Sequence, residues 1–429
     1  MKITSQDFLI EDYNIFKNKM LNWANRFSIF CFLDNNNYNF DEPSFDCTLA
    51  AGCKRSIELE PGNAFSQLKQ FYDEKPCWLF GHLGYDLKNE IEALSSKNNP
   101  LIDFGLSFFF EPEILIQVRD GKFEVINSLQ KTAEIFDEIN DQQGEIINTV
   151  ETNVNVQNSI SKQEYSDVII KLQNHIRRGD CYEINYCRQF FATDAIIDPL
   201  FIYSRLVKIS ANPFSALYKL NDKFCLCASP ERYLKKTGNT IISQPIKGTS
   251  KRDLHNKNTD EENKNHLQKS LKEKSENVMV VDLVRNDLSK ICREGSVQVK
   301  ELFGIYSFPQ VHQMISTVKG ILENDIHWTD AVKATFPMGS MTGAPKKKVM
   351  QLIDEYESSA RGLFSGSIGY VTPQADFDFN VVIRSIFYDD SNKFLSFLAG
   401  GGITFYSNAA DEYEECILKA AAIISVLKS

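Results

Sequence analysis

The chain has 429 residues, 43% of them hydrophobic and 24% charged, which excludes the disordered, collagenous and fibrous classes and leaves either two or three domains or one large interwoven unit. No apolar run reaches the roughly 18 to 20 residues that span a bilayer, so a membrane span is excluded. Lys+Arg of 47 against Asp+Glu of 57 gives a net charge of -10 with the two signs interspersed, and nucleic acid is not an expected partner.

The N-terminal residues 1–16, MKITSQDFLIEDYNIF, have neither the apolar core of a secretory signal nor the acid-poor composition of a transit peptide, so a cytoplasmic protein is expected. Up to about residue 135, short aromatic and β-branched runs (FSIFCFL, CWLFGHLGYD, LSFFF, ILIQVRDGKFEVI) alternate with Asn, Gly, Pro and acidic turns. This predicts a β-rich region over 1–138, followed by a polar surface linker over 139–161 and a second domain over 162–429. In the third segment, Val168, Ile169, Leu172 and Ile176 mark one helical face that stops at Gly179. Strands are then expected at YEINYCRQFFA, FSALYKL, KFCLCASP, YLKKTGNTIIS, FSGSIGYVTP, FDFNVVIRSIFYD and KFLSFLAGGGITFYS. Helices are expected over 261–292, 345–356 and 409–427. The fold class is α/β of the α+β type, with largely antiparallel sheets and neither a Rossmann nor a barrel repeat.

Ten cysteines show no CxxC pair and six histidines no HxxxH or HExxH, so reduced thiols are expected and a zinc enzyme is not. Glu231 ends one strand and Lys247 follows the next, with a hairpin at Thr237–Asn239 between them, so an antiparallel return would bring both into one pocket. Lys247 reads either as a solvated loop lysine or as an amine drawn inward, where burial favours the neutral, nucleophilic form. Glu273 and Glu276 share one helix face, and so do Glu412 and Glu415. Either these are solvated faces, or the two helices meet and hold a hard divalent cation, best Mg²⁺.

GSMTGAPK fails the phosphate-loop pattern, so ATP is not implied. With Pro345 at a first helical position, free N–H groups around Thr342, Gly343 and Ala344 would face an anion, unless this is a plain strand-to-helix turn. Arg384 interrupts an apolar strand and needs an anion, either a substrate carboxylate or Asp376 or Asp378. His312 reads first as a satisfied core histidine.

Taken together, GDCYEINYCRQF, SPERYLK, QPIKGT, ENVMVVDLVRND, GSMTGAPKKKVMQLI, GYV, VVIRS, AGGGIT and DEYEECILK occur in an order that resembles the chorismate-binding enzyme family over residues 160 to 428. That family includes the component I chains of anthranilate and aminodeoxychorismate synthases and the isochorismate and salicylate synthases. GHLGYD resembles its amino-terminal region more weakly. The resemblance implies the anthranilate synthase component I-like fold, with β-sheets packed face to face and helices outside.

Lys247 in QPIKGT is similar to the aminodeoxychorismate synthases, whereas the other branches usually carry alanine there. Glu183 stands where the isochorismate and salicylate enzymes have a water-activating lysine and many amine-transferring members have glutamine. The resemblance implies a transaminase-class amino-group transfer: Lys247 captures chorismate, Glu231 is the general acid, His312 assists, and ammonia gives 4-amino-4-deoxychorismate for p-aminobenzoate and folate synthesis. It implies Mg²⁺ on Glu276 and Glu415, supported by Glu273 and Glu412. It further implies substrate binding by Gly248, Thr249, Thr342, Gly343, Tyr370, Arg384, Gly401, Gly402 and Lys419. The chain has no recognisable glutaminase nucleophile segment, so the implied ammonia source is a glutamine amidotransferase subunit, component II. The alternatives are an anthranilate synthase component I and a non-catalytic chorismate-binding regulatory protein.

Overall fold

The structure is a computed structural model that describes residues 8–10, 12–38, 45–119, 121–127, 131–308 and 311–428. Residues 1–7, part of the stretch read for a leader, lie outside the described residues. Strand Ile29–Asp34 explains the architecture. Phe30 and Phe32 point into one core cluster and Cys31 into another, because successive side chains of a strand face opposite ways. With both faces buried, the sequence reads as an unbroken apolar run.

Two sheets of twelve and ten strands result, and the strand pairs within them are antiparallel. The sheets pack face to face. Between them small Cys31, Cys225 and Cys227 meet large Phe80, Phe109 and Phe110, and His82 Nδ1 lies 3.2 Å from the Tyr218 hydroxyl of the opposing sheet. All ten cysteines are free. Helices Tyr13–Ala24, Thr132–Asn140, Pro199–Ile209 and Ala409–Leu427 cover the outer face of the larger sheet through Phe16, Ile135, Leu206 and Ile423. No helix among the described residues is long and apolar enough to cross a membrane.

The sheets do not divide where the chain segments do. Ile29–Asp34 pairs with Phe214–Leu220 in the larger sheet, and Leu79–Leu83 pairs with Ser367–Val371 in the smaller. The segments 1–138 and 162–429 therefore build each sheet jointly. The stretch between them is largely surface chain, but its Gln157–Asn158 adds a short edge strand to Phe190–Phe191.

Helix Lys162–Arg177 starts at a capping box in which Ser161 and Glu164 satisfy each other's backbone N–H groups. Two expected elements divide. The helix expected over 261–292 becomes Lys257–Lys269 and Leu271–Ser289, because Ser270 leaves the helical conformation and its hydroxyl caps Glu273 N–H. The strand expected across FDFNVVIRSIFYD becomes Phe377–Asn380 in the smaller sheet and Ser385–Asp389 in the larger. The chain changes sheets at Val381–Arg384, and Arg384 takes a left-handed φ of 54° there. The expected helix 345–356 begins at Lys346 with Pro345 as its cap, not its first turn.

Candidate active site

At this crossover a cleft of about 960 Å³ opens between the strand ends and helices Leu271–Ser289 and Ala409–Leu427. Glu231 lies just beyond strand Lys223–Ser229 and is 4% exposed. Ser340 Oγ donates to its Oε1 at 2.5 Å. Burial pushes the Glu231 carboxyl up to about 7, against the opposing pull of Ser340 and Lys247. It therefore keeps a proton near neutrality, as a general acid requires.

Lys247, on strand Ile246–Lys251, lines the same cleft, as do Gly248 and Thr249. Its Nζ donates to Glu183 Oε1 at 2.5 Å. Burial alone would lower the lysine, but Glu183, Glu276 and Glu231 outweigh it and hold the ammonium above the ordinary value. The expectation that burial neutralises Lys247 is thus corrected: the amine needs a proton acceptor.

One side chain links the two helices. Lys272 Nζ stands 3.9 Å from Glu276 and 3.4 Å from Glu412. Glu273, Glu276 and Glu415 all line the cleft. Glu276 Oε1 is buried without a hydrogen bond, and burial pushes that carboxyl up to about 8, with Lys247 opposing and Glu183 and Glu273 adding to the rise. Glu415 is held down at about 2 by Lys419, whose Nζ is 2.6 Å away. Glu412 is off the cleft wall, accepting from Ser407 Oγ at 2.7 Å.

Among the described residues no three His, Cys, Asp or Glu side chains converge into a metal cage. An all-oxygen set with one unpartnered buried oxygen nevertheless fits Mg²⁺, which commonly takes one or two carboxylates and completes its shell with water and substrate.

Arg384 also faces the cleft, and its NH1 donates to the Lys419 carbonyl at 3.3 Å. Neither expected aspartate pairs with it: Asp378 takes Arg232 through two 3.0 Å bonds, and Asp376 takes Lys236 at 3.1 Å. Burial lowers the guanidinium to about 10, against Glu415, so an incoming carboxylate is its natural partner. Lys419 reaches the cleft and donates to the Gly400 carbonyl at 2.8 Å. Gly402 leaves room for the ion pair, since a Cβ there would lie 2.6 Å from Glu183 Oε1 and 2.9 Å from Lys247 Nζ. Gly401 instead faces Glu412, Glu415 and Lys419, at 3.3, 3.4 and 3.5 Å from an added Cβ.

Three expectations are corrected. His312 points away from the cleft, while its neighbours Val311 and Gln313 line it. Its ring joins Ser307 Oγ at 2.8 Å and Asp260 Oδ1 at 3.1 Å, tying helix Lys257–Lys269 to strand Val311–Ile321. Tyr370 packs at tilted angles among Phe45, Trp78 and Phe80 and lines a different, smaller cavity of about 60 Å³ between the sheets. Thr342 and Gly343 do not line the cleft. Thr342 N–H bonds Gly339 O, and its carbonyl accepts from Asn185 N at 2.8 Å. Gly343, at φ 145°, lets the turn approach the strand bearing Glu183, where a Cβ would sit 2.1 Å from the Glu183 carbonyl. That turn stitches strands together, and the members of GSMTGAPK that line the cleft are Ser340 and Met341.

Sequence reasoning missed Ser340 and gave Glu183 no role. The signal for Glu183 was a carboxylate at the start of strand Glu183–Ala192, which also carries Asn185, Arg188 and Gln189 and so did not single it out.

The chorismate binding enzyme family matches residues 31–425. The chain is 37% identical to aminodeoxychorismate synthase component 1 of Salmonella typhimurium over 64% of this chain and 59% of that one. It is 36% identical to the Bacillus subtilis protein of that name over 62% and 55%. The chain thus spans less than two thirds of the length of these relatives. An anthranilate synthase component I-like protein of Synechocystis is 32% identical over 82% of this chain and 72% of its own length. In fold, the chain is similar to anthranilate synthase component I from Streptococcus pneumoniae, with a TM-score of 0.76, 24% identity and coverage of 91% and 94%.

Proposed function

The chain belongs to the chorismate-binding enzyme family, and we propose that within it this protein is the component I chain that converts chorismate and ammonia to 4-amino-4-deoxychorismate. The observation that carries the reading is the buried Lys247 amine in one cleft with Glu231, a carboxyl that burial pushes up to about 7.

In this reading Lys247 Nζ bonds to C2 of the ring while the C4–O bond breaks and both ring double bonds shift. Glu231 protonates the departing hydroxyl, which leaves as water. Ammonia then bonds to C4, both double bonds shift back, and Lys247 is expelled as an amine. Two allylic displacements replace one difficult substitution. Arg384, with Gly402 giving close backbone access, takes the enolpyruvyl carboxylate. Glu276 and Glu415, with Glu273 beside them, would hold Mg²⁺, which when bound would supply positive charge for a substrate carboxylate. Glu412 supports the set through Lys272 and Ser407.

The ammonia source is a separate glutamine amidotransferase subunit, and the product serves p-aminobenzoate and folate synthesis. The rival reading, anthranilate formation, requires ammonia to reach C2, where the Lys247 amine stands.

Incubating the purified chain with chorismate, Mg²⁺ and ammonium tests the proposal by product mass and pyruvate release. An amino product that retains its enolpyruvyl group is expected. Anthranilate with pyruvate would overturn it.

A further inference from the structure

We propose that Glu183 is the proton acceptor that turns Lys247 into a nucleophile and returns the proton when the lysine is expelled. The inference rests on the reading of Lys247 as the nucleophile. Three observations carry it. Glu183 Oε1 and Lys247 Nζ are 2.5 Å apart, with the side chains 2% and 9% exposed. Glu183 Oε2 is buried with no hydrogen-bond partner, so the carboxylate has capacity beyond its salt bridge. Gly402 backs the pair so closely that an added Cβ would collide with it.

The remaining carboxylates around the amine are otherwise engaged. Glu231 is bonded to Ser340 and its proton goes to the leaving hydroxyl. Glu276, Glu273 and Glu415 face Lys247 from the two helices, and their oxygens are the ones suited to the cation. Glu183 is the one in hydrogen-bond contact with the amine.

The step balances. The Lys247 ammonium gives one proton to Glu183 Oε1, and the freed lone pair forms the C2–N bond as C4–O breaks. Glu231 supplies the proton that makes the leaving group water. When ammonia bonds to C4 the C2–N bond breaks, the lysine leaves as a neutral amine, and Glu183 reprotonates it. The new C4 ammonium gives its extra proton back to Glu231. Chorismate and ammonia thus become aminodeoxychorismate and water with both carboxyl groups restored.

The test uses the full chain with chorismate and Mg²⁺, reading covalent capture by intact mass without ammonium, and amination with it, across a pH series. Glu183→Gln keeps a hydrogen-bond acceptor for Lys247 but cannot take its proton. Relative to wild type at the same pH, its capture rate is expected to fall by about 100-fold at neutral pH and this deficit to narrow as pH rises, the loss of the Glu231 proton being common to both enzymes, with KM for chorismate within about twofold. Glu183→Asp, which keeps the carboxylate, is expected to lie between. Wild-type capture by Glu183→Gln at every pH would overturn the proposal, as would equal loss in both variants with no pH recovery. Lys247→Ala decides the underlying reading separately: if it aminates chorismate normally, the lysine mechanism itself fails.

Discussion

Two buried ion pairs share the strand Glu183–Ala192, and they are built to opposite specifications. Arg361 and Glu357 are 1% and 3% exposed. The guanidinium meets both Glu357 oxygens at 2.6 and 2.9 Å, the carbonyls of Met341 and Asn185 at 2.7 and 2.8 Å, and Ser365 Oγ at 3.2 Å. Glu357 Oε1 also accepts from Cys187 N at 2.9 Å. A few residues earlier, Glu183 and Lys247 share one bond, Glu183 Oε2 has no hydrogen-bond partner, and four more carboxylates, those of Glu231, Glu273, Glu276 and Glu415, surround the amine. The first pair is satisfied on its own and specifies structure. The second is left incomplete, and burial without complete satisfaction is what a reacting site retains.

The contrast can be broken most directly at Arg361. Arg361→Met strands Glu357 and is expected to cost about 3–5 kcal/mol of stability in a denaturant titration, since one partner of a buried pair is left uncompensated. A loss as small as that of a surface pair would erase the distinction.

At Glu231 the sign reverses. Its folded value, about 7, lies above an ordinary carboxyl, so its contribution to stability is full below about pH 4 and is lost as pH rises through 7. Glu231→Gln is expected to stabilise the fold at pH 8 by on the order of 2 kcal/mol while losing most turnover. Wild-type turnover is expected to decline as pH rises above 7, and a pH–rate profile with no such limb would remove Glu231 as the acid.

A smaller effect is expected at the carboxylates proposed to hold the cation. Glu276→Gln should weaken Mg²⁺ by about tenfold or more, read by calorimetric titration of the ion. Lys272 bridges Glu276 and Glu412 from a side chain 45% exposed. Lys272→Met is therefore expected to change thermal stability by less than about 1 kcal/mol.

The parts of the site legible in the sequence are those fixed by local geometry. Glu231 and Lys247 flank a hairpin, and each carboxylate pair is set by the helical repeat. What the sequence hid depends on which face a residue takes. In sheets buried on both sides the apolar run carries no alternation, so His312 and Tyr370 could not be assigned to a side. The same uniformity concealed the change of sheet inside FDFNVVIRSIFYD, with no turn signal before Arg384. The shared sheets and the Glu183–Lys247 contact join segments far apart in the chain, and no local pattern reports such a pairing.

That interleaving has a consequence for how the protein is made. Gly81 finds its strand partner at Gly369, and Cys31 finds Tyr218, so neither sheet can close until most of the chain has been synthesised. Such non-local pairing makes folding slow and leaves early strand edges open to wrong partners. A ribosome-bound fragment ending within 139–161 would present the unpaired edges of Ile29–Asp34 and Leu79–Leu83, and chaperone occupancy should peak there and fall only after residue 371 has emerged.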